Sequence, residues 1–163
     1  MNIDKSNMKA KAYIERTREY INYLEEHINN VHKAFCEVSE KCKDVLWVIN
    51  IDKLKEDVIH HDLSKFSPQE FVQYRKTFFP VRESEKINSG MDEAWEHHKK
   101  ENSHHHETVK TLTDVMHMVI DWTAMGYMFG DTAQQYYENN KDKISLSKSH
   151  KDFMYQIFDK LSV

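Results

Sequence analysis

Histidine and aspartate occur in this chain where a helix would otherwise place an apolar side chain. His27 follows Leu24 by three residues and precedes Val31 by four. His61 closes the series Ile51, Leu54, Val58, His98 follows Ala94 by four, and Asp121 lies between Met118 and Met125. Steps of three and four return a side chain to the same helix face, so these groups are predicted to point into apolar stripes. An imidazole or carboxylate taken out of water needs a partner. All of these residues, with Asp62 and with His104 or His105, are of metal-ligand type. Imidazole and carboxylate together suit Fe, Mn, Zn, Co or Ni, whereas Ca takes oxygens alone. The consecutive His61 and Asp62 diverge by about a third of a helical turn, which lets the histidine bind one cation while the aspartate bridges two. A set of His27, His61, Asp62, His98, His104 or His105, and Asp121 exceeds four ligands and implies two divalent ions.

The elements that must position these groups are helices. Tyr13, Tyr20, Leu24, Ile28, Val31, Phe35 and Val38 mark one long helix over roughly 8–39. A second helical piece carries Val45 to Ile49, and a third runs through Ile51, Leu54, Val58 and His61. Ser67-Pro68-Gln69-Glu70 reads as a capping box opening a helix that carries Phe71 to Phe79 and stops at Pro80. Residues 81–90 are polar, contain Asn88-Ser89-Gly90, and are predicted to be a mobile loop. A short helix with Ala94, Trp95 and His98 follows, then a break at Asn102-Ser103. The most apolar segment, 113–129, is expected to cross the centre of the fold and to end with Gly130 as its C′ residue. Two further helices, near 131–140 and 149–161, complete an all-α chain read as one domain over 1–163.

Composition narrows the function classes. With 163 residues, 39% hydrophobic and 31% charged, the chain has enough apolar surface for a core. Only 3 Gly and 2 Pro leave little turn chemistry for a sandwich, a barrel or a βαβ series. A net charge of -4 with interspersed signs gives no footprint for a nucleic-acid polymer, but leaves room for a small anion at a local positive site. No apolar run has membrane-spanning length, and the first residues lack the apolar core of a secretory signal, so the expected location is a cytoplasm. Cys36 and Cys42 match no zinc spacing and are read as free thiols.

The order His27, His61-Asp62, His98, His104 or His105, Asp121 resembles the HD-domain superfamily of helical metal-dependent phosphohydrolases, and the resemblance implies an HD-like helical bundle around a buried metal site. The segment His61-Asp62-Leu63-Ser64-Lys65 is similar to the HDxGK form of dinuclear members, with Ser64 in place of Gly. The resemblance implies that Lys65 meets a phosphate oxygen. More closely, HDLSKFSPQEF, AWEHHKKENSHHHE and IDWTAMGYMFG resemble an uncharacterised family of phage and bacterial proteins, domain of unknown function 5662, over roughly 20–129. That likeness implies a shared helical fold and shared ligands, and it brings no known reaction. His98 lies six or seven residues from His104 and His105, closer than the corresponding histidines of dinuclear members. A single ion on His27, His61, Asp62 and Asp121 is therefore the alternative, leaving His98, His104 and His105 for substrate or proton donation.

These readings lead to an expected function: hydrolysis of a phosphoester in a nucleotide or similar small phosphate by metal-activated water. Asp62 serves as bridging ligand and base, with Lys65 and His98 acting on the developing charge or the leaving group. The cofactor is one or two divalent ions among Fe, Mn, Zn, Co and Ni. Two alternatives stand beside it: a non-catalytic metal-containing protein that binds or sequesters a nucleotide, as a phage accessory protein would in a host cytoplasm, and an HD-type di-iron oxygenase. A homo-oligomer is compatible with each.

Overall fold

The computed structural model describes residues 3–87 and 89–162, and among these all regular structure is helical, with no strand. The elements are α1 (Ile3–Lys41), α2 (Ile51–Ile59), α3 (Phe71–Phe78), α4 (Ser84–Ile87), α5 (Met91–Glu101), α6 (Leu112–Phe129), α7 (Ala133–Asn140) and α8 (Lys148–Leu161). Two short 3-10 turns, Lys43–Val48 and Leu63–Phe66, join α1 to α2 and α2 to α3. None of the described helices is long and apolar enough to cross a membrane. Cys36 and Cys42 are free thiols.

The chain forms two compact units. One contains residues 1–26 and 62–101, the other 27–61 and 102–163. The chain passes between them three times, once within α1 and once between the consecutive residues His61 and Asp62.

In the larger unit α6 is the central element, packed by α2, α7 and α8. Val115, Met116, Met118, Val119, Ile120 and Ala124 are fully buried along it. Against them lie Val31, Ala34 and Val38 of α1, Leu54 and Val58 of α2, and Phe153, Met154, Ile157 and Phe158 of α8. Burial on nearly every face explains why its sequence is apolar with little periodicity. Thr111 and Asp114 close a capping box at its start, and Gly130 ends it in the left-handed region at φ 83°. Gly126 is required for another reason: a Cβ there would stand 2.3 Å from the Asp131 carbonyl oxygen.

In the smaller unit α3 packs on α4 and α5. Tyr20 and Leu24 of α1, Tyr74 of α3 and Ala94 of α5 form its core, with Tyr23, Phe71, Phe79 and Met91 around them. The Tyr20 ring lies 5.2 Å from Phe71 and 5.7 Å from Phe79, centroid to centroid. The buried Arg75 donates to Glu85 and to the Phe79 carbonyl, both at 3.1 Å. Glu85 also accepts from Tyr13 and from the Val81 amide. These bonds give the stretch expected as an open loop a helical turn, α4, with defined partners; Asn88 lies outside the described residues.

The Ser67–Glu70 capping box is corrected by the structure. The chain turns there, but α3 begins at Phe71, the Ser67 hydroxyl is buried without a hydrogen bond, and Glu70 makes no side-chain cap. Glu70 is instead a fully buried carboxylate whose partners are histidines. His61 likewise lies two residues past the end of α2 rather than on its face.

Candidate metal centre

In the larger unit, four elements each deliver part of a buried imidazole cluster. His27 continues the α1 stripe that runs to Val31 and Val38. His61 is turned inward by the turn that follows α2, which its amide closes on the Val58 carbonyl at 3.3 Å. His117 and Asp121 stand four residues apart on one face of α6. His104 comes from the segment before α6, which Asp114 anchors. The Asp114 carboxylate accepts from Ser103 Oγ at 2.7 Å, from the Lys110 and Thr111 amides at 3.1 and 2.9 Å, and from Thr111 Oγ1. Burial opposes its ionisation, yet these donors hold Asp114 below the ordinary carboxylate range. Thr108 ties the same segment through its bonds to the Asn102 and His105 carbonyls.

The side chains converge closely. His27 Nε2 and His61 Nε2 are 3.0 Å apart, and Asp121 Oδ1 lies 3.3 Å from the first and 3.6 Å from the second. Two ligands bound at about 2.1 Å to one ion are about 3.0 Å apart at a right angle and about 3.4 Å apart at a tetrahedral angle. The triangle therefore has the dimensions of three ligands on one face of a transition-metal ion. Its two imidazoles are buried to within 2–3% of full exclusion, and the Asp121 side chain keeps 14% of its surface open.

The far nitrogen of His61, Nδ1, lies 3.0 Å from His117 Nε2. A histidine that binds metal through one nitrogen donates its other N–H to a fixed acceptor, which sets tautomer and ring orientation. His117 stands where that acceptor is required. His104 stacks on His61 with centroids 4.4 Å apart and lies 4.6 Å from His117. His61, His104 and His117 make a second group of ligand atoms close enough for one ion. Both groups use His61. The half-buried His105 ring is 4.3 Å from His104.

The remaining expected site residues, Asp62, Lys65 and His98, meet in the smaller unit. Asp62 has φ 58°, the only positive φ outside glycine among the described residues. That left-handed conformation is costly for a side-chain-bearing residue and tends to persist where the surroundings impose it. The 3-10 turn that follows brings Lys65 back, so that its Nζ donates to Asp62 Oδ2 at 2.5 Å. His98 of α5 sets Nε2 3.2 Å from Asp62 Oδ1 and Nδ1 2.8 Å from Glu70 Oε2. Ser64, at the glycine position of the HDxGK form, places its hydroxyl 3.1 Å from His98 Nδ1. Burial works against a charged His98, but its bonds to Asp62 and Glu70 prevail and raise its pKa. Glu70 is held low in the same way: burial is outweighed by hydrogen bonds from His98, His97 and Ser64.

Thus His27, His61, His104 and Asp121 assemble in one unit with His105 beside them, and Asp62, Lys65 and His98 in the other. The four-residue spacing of His117 to Asp121 already marks His117 as a candidate partner of the ligands, and the structure sets it against His61. Glu70 gains an importance that sequence reasoning did not give it: it reads as a helix cap, and no local signal separates a capping carboxylate from a buried one.

A helical protein with a buried imidazole and carboxylate cluster of metal-binding dimensions is the class that fold and site define. The chain belongs to the Family of unknown function (DUF5662), whose model matches residues 16–161. No curated protein and no solved structure matches the chain.

Proposed function

We propose that this chain is a divalent-metal-dependent phosphohydrolase of the HD kind, acting on a nucleotide or similar small phosphoester. The observation that carries the reading is the triangle of His27 Nε2, His61 Nε2 and Asp121 Oδ1, with edges of 3.0, 3.3 and 3.6 Å. A transition-metal ion held by these residues would supply Lewis acidity and lower the pKa of a bound water toward about 7. His117 keeps the His61 proton on Nδ1, which leaves Nε2 as the ligand nitrogen. Support for the phosphoester comes from the segment His61 to Lys65, with its resemblance to HDxGK, and from the Lys65 ammonium, a point charge suited to a phosphate oxygen. Asp62 can hold a proton or share a cation, and His98 Nε2 faces it at hydrogen-bonding distance. The acidic net charge favours a small substrate over a nucleic-acid polymer.

The near-complete burial of His27, His61, His104 and His117 supports a second reading, in which the metal is structural and the nucleotide is bound without being cleaved. Elemental analysis of untagged protein, beside a His61→Ala, Asp62→Ala double variant, tests both readings at their common root. One or two equivalents of Fe, Mn, Zn, Co or Ni, absent from the variant, are expected. Phosphate release from a nucleotide panel then marks the hydrolase, and recovery of intact nucleotide marks the binding protein. Protein without metal after reconstitution overturns both.

A further inference from the structure

Glu70 is a carboxylate with no exposed surface, and it has two imidazoles as partners. His97 Nδ1 lies 2.7 Å from Oε1 and His98 Nδ1 lies 2.8 Å from Oε2. These histidines are consecutive on α5, so their side chains leave the helix about 100° apart. Their Nδ1 atoms nevertheless converge on one carboxylate. A buried charge is an expensive way to stabilise a fold, and well-packed apolar residues often do as well or better, so such a group calls for a role in specificity.

That role follows from donor and acceptor chemistry. A carboxylate only accepts, so a hydrogen bond from Nδ1 of His98 requires the proton to be on Nδ1. The nitrogen that carries the proton in an imidazole is set by the bond its other nitrogen makes. With Nδ1 committed to Glu70, Nε2 is the nitrogen turned to Asp62, at 3.2 Å. Ser64 Oγ also stands on the Nδ1 side and not on the Nε2 side.

We propose that Glu70 is a positioning residue: by accepting the Nδ1–H it fixes the His98 ring and thereby turns Nε2 to Asp62. The assignment of work to Asp62 rests on the phosphohydrolase reading; the Nδ1–H bond to Glu70 does not.

Long-range 1H–15N correlation spectra of the 15N-labelled full chain test the proposal without substrate or metal. The His98 signals are assigned by their loss in His98→Gln. In the wild type, His98 Nδ1 is expected in the protonated region. In Glu70→Leu, with circular dichroism showing the helices intact, Nδ1 is expected to lose that proton. A bare Nδ1 in the wild type, or a protonated Nδ1 in Glu70→Leu, overturns the proposal. If Glu70→Leu does not fold, Glu70→Met, of nearly the same length and without an acceptor oxygen, is read in the same way. Failure of the phosphohydrolase reading leaves these spectra unaffected, because they are recorded without substrate or metal.

Discussion

Replacing His117 with Gln asks what holds His61 in its working orientation. The bond in question is the 3.0 Å contact between His61 Nδ1 and His117 Nε2, on a side chain that is 2% exposed and fixed by the fully buried middle of α6. A residue that orients a metal-bound histidine typically contributes a factor of about 10 to 100 in affinity. At about 1.4 kcal/mol per tenfold, that is about 1.4 to 2.7 kcal/mol. His27→Ala instead removes a corner of the triangle and is expected to abolish tight binding. Competition against a chromophoric chelator with Zn or Mn measures all three proteins on one scale, and thermal melting checks that each is folded. An affinity unchanged in His117→Gln would refute the reasoning that His117 orients His61. A loss as complete as that in His27→Ala would instead make His117 a ligand of the same ion and not a residue that orients His61.

Asp114 links stability to acid. Its folded pKa is depressed, so its contribution is fully present above the unfolded carboxylate value of about 3.9 and is lost as pH falls through the folded value. Asp114→Asn is expected to cost about 2–3 kcal/mol at neutral pH, since hydrogen bonds to a buried charge are each worth about that much, and to flatten the acid limb of a denaturation series; an unchanged acid limb counts against it. Gly126→Ala should lower the melting temperature, because the Asp131 carbonyl must retreat from a Cβ placed 2.3 Å away, whereas Gly130→Ala meets no neighbour and pays only for φ 83°. A smaller loss at Gly126 than at Gly130 would contradict that comparison. Leu54→Ala, which opens a cavity under α6, is expected to cost about 2–5 kcal/mol in urea unfolding.

Local periodicity was enough to read the long helices. The stripe from Tyr20 to Val38 marked α1, the apolar run marked α6, and Gly130 marked its end, because each depends on residues within one or two turns. Periodicity also singled out His27 and Asp121 as polar groups on apolar faces, and the two meet within 3.3 Å. What the sequence could not decide is partnership, which is set by residues far apart in the chain. Ser67 to Glu70 has the pattern of a capping box, yet Glu70 bonds to histidines 27 and 28 residues away. The spacing of His117 pointed to Asp121 on its own helix; it is the turn after α2 that brings His61 Nδ1 to it. The alternation of apolar and polar residues selects helices and their buried faces; only tertiary packing selects which buried nitrogen faces which oxygen, and the chemistry of this chain depends on that choice.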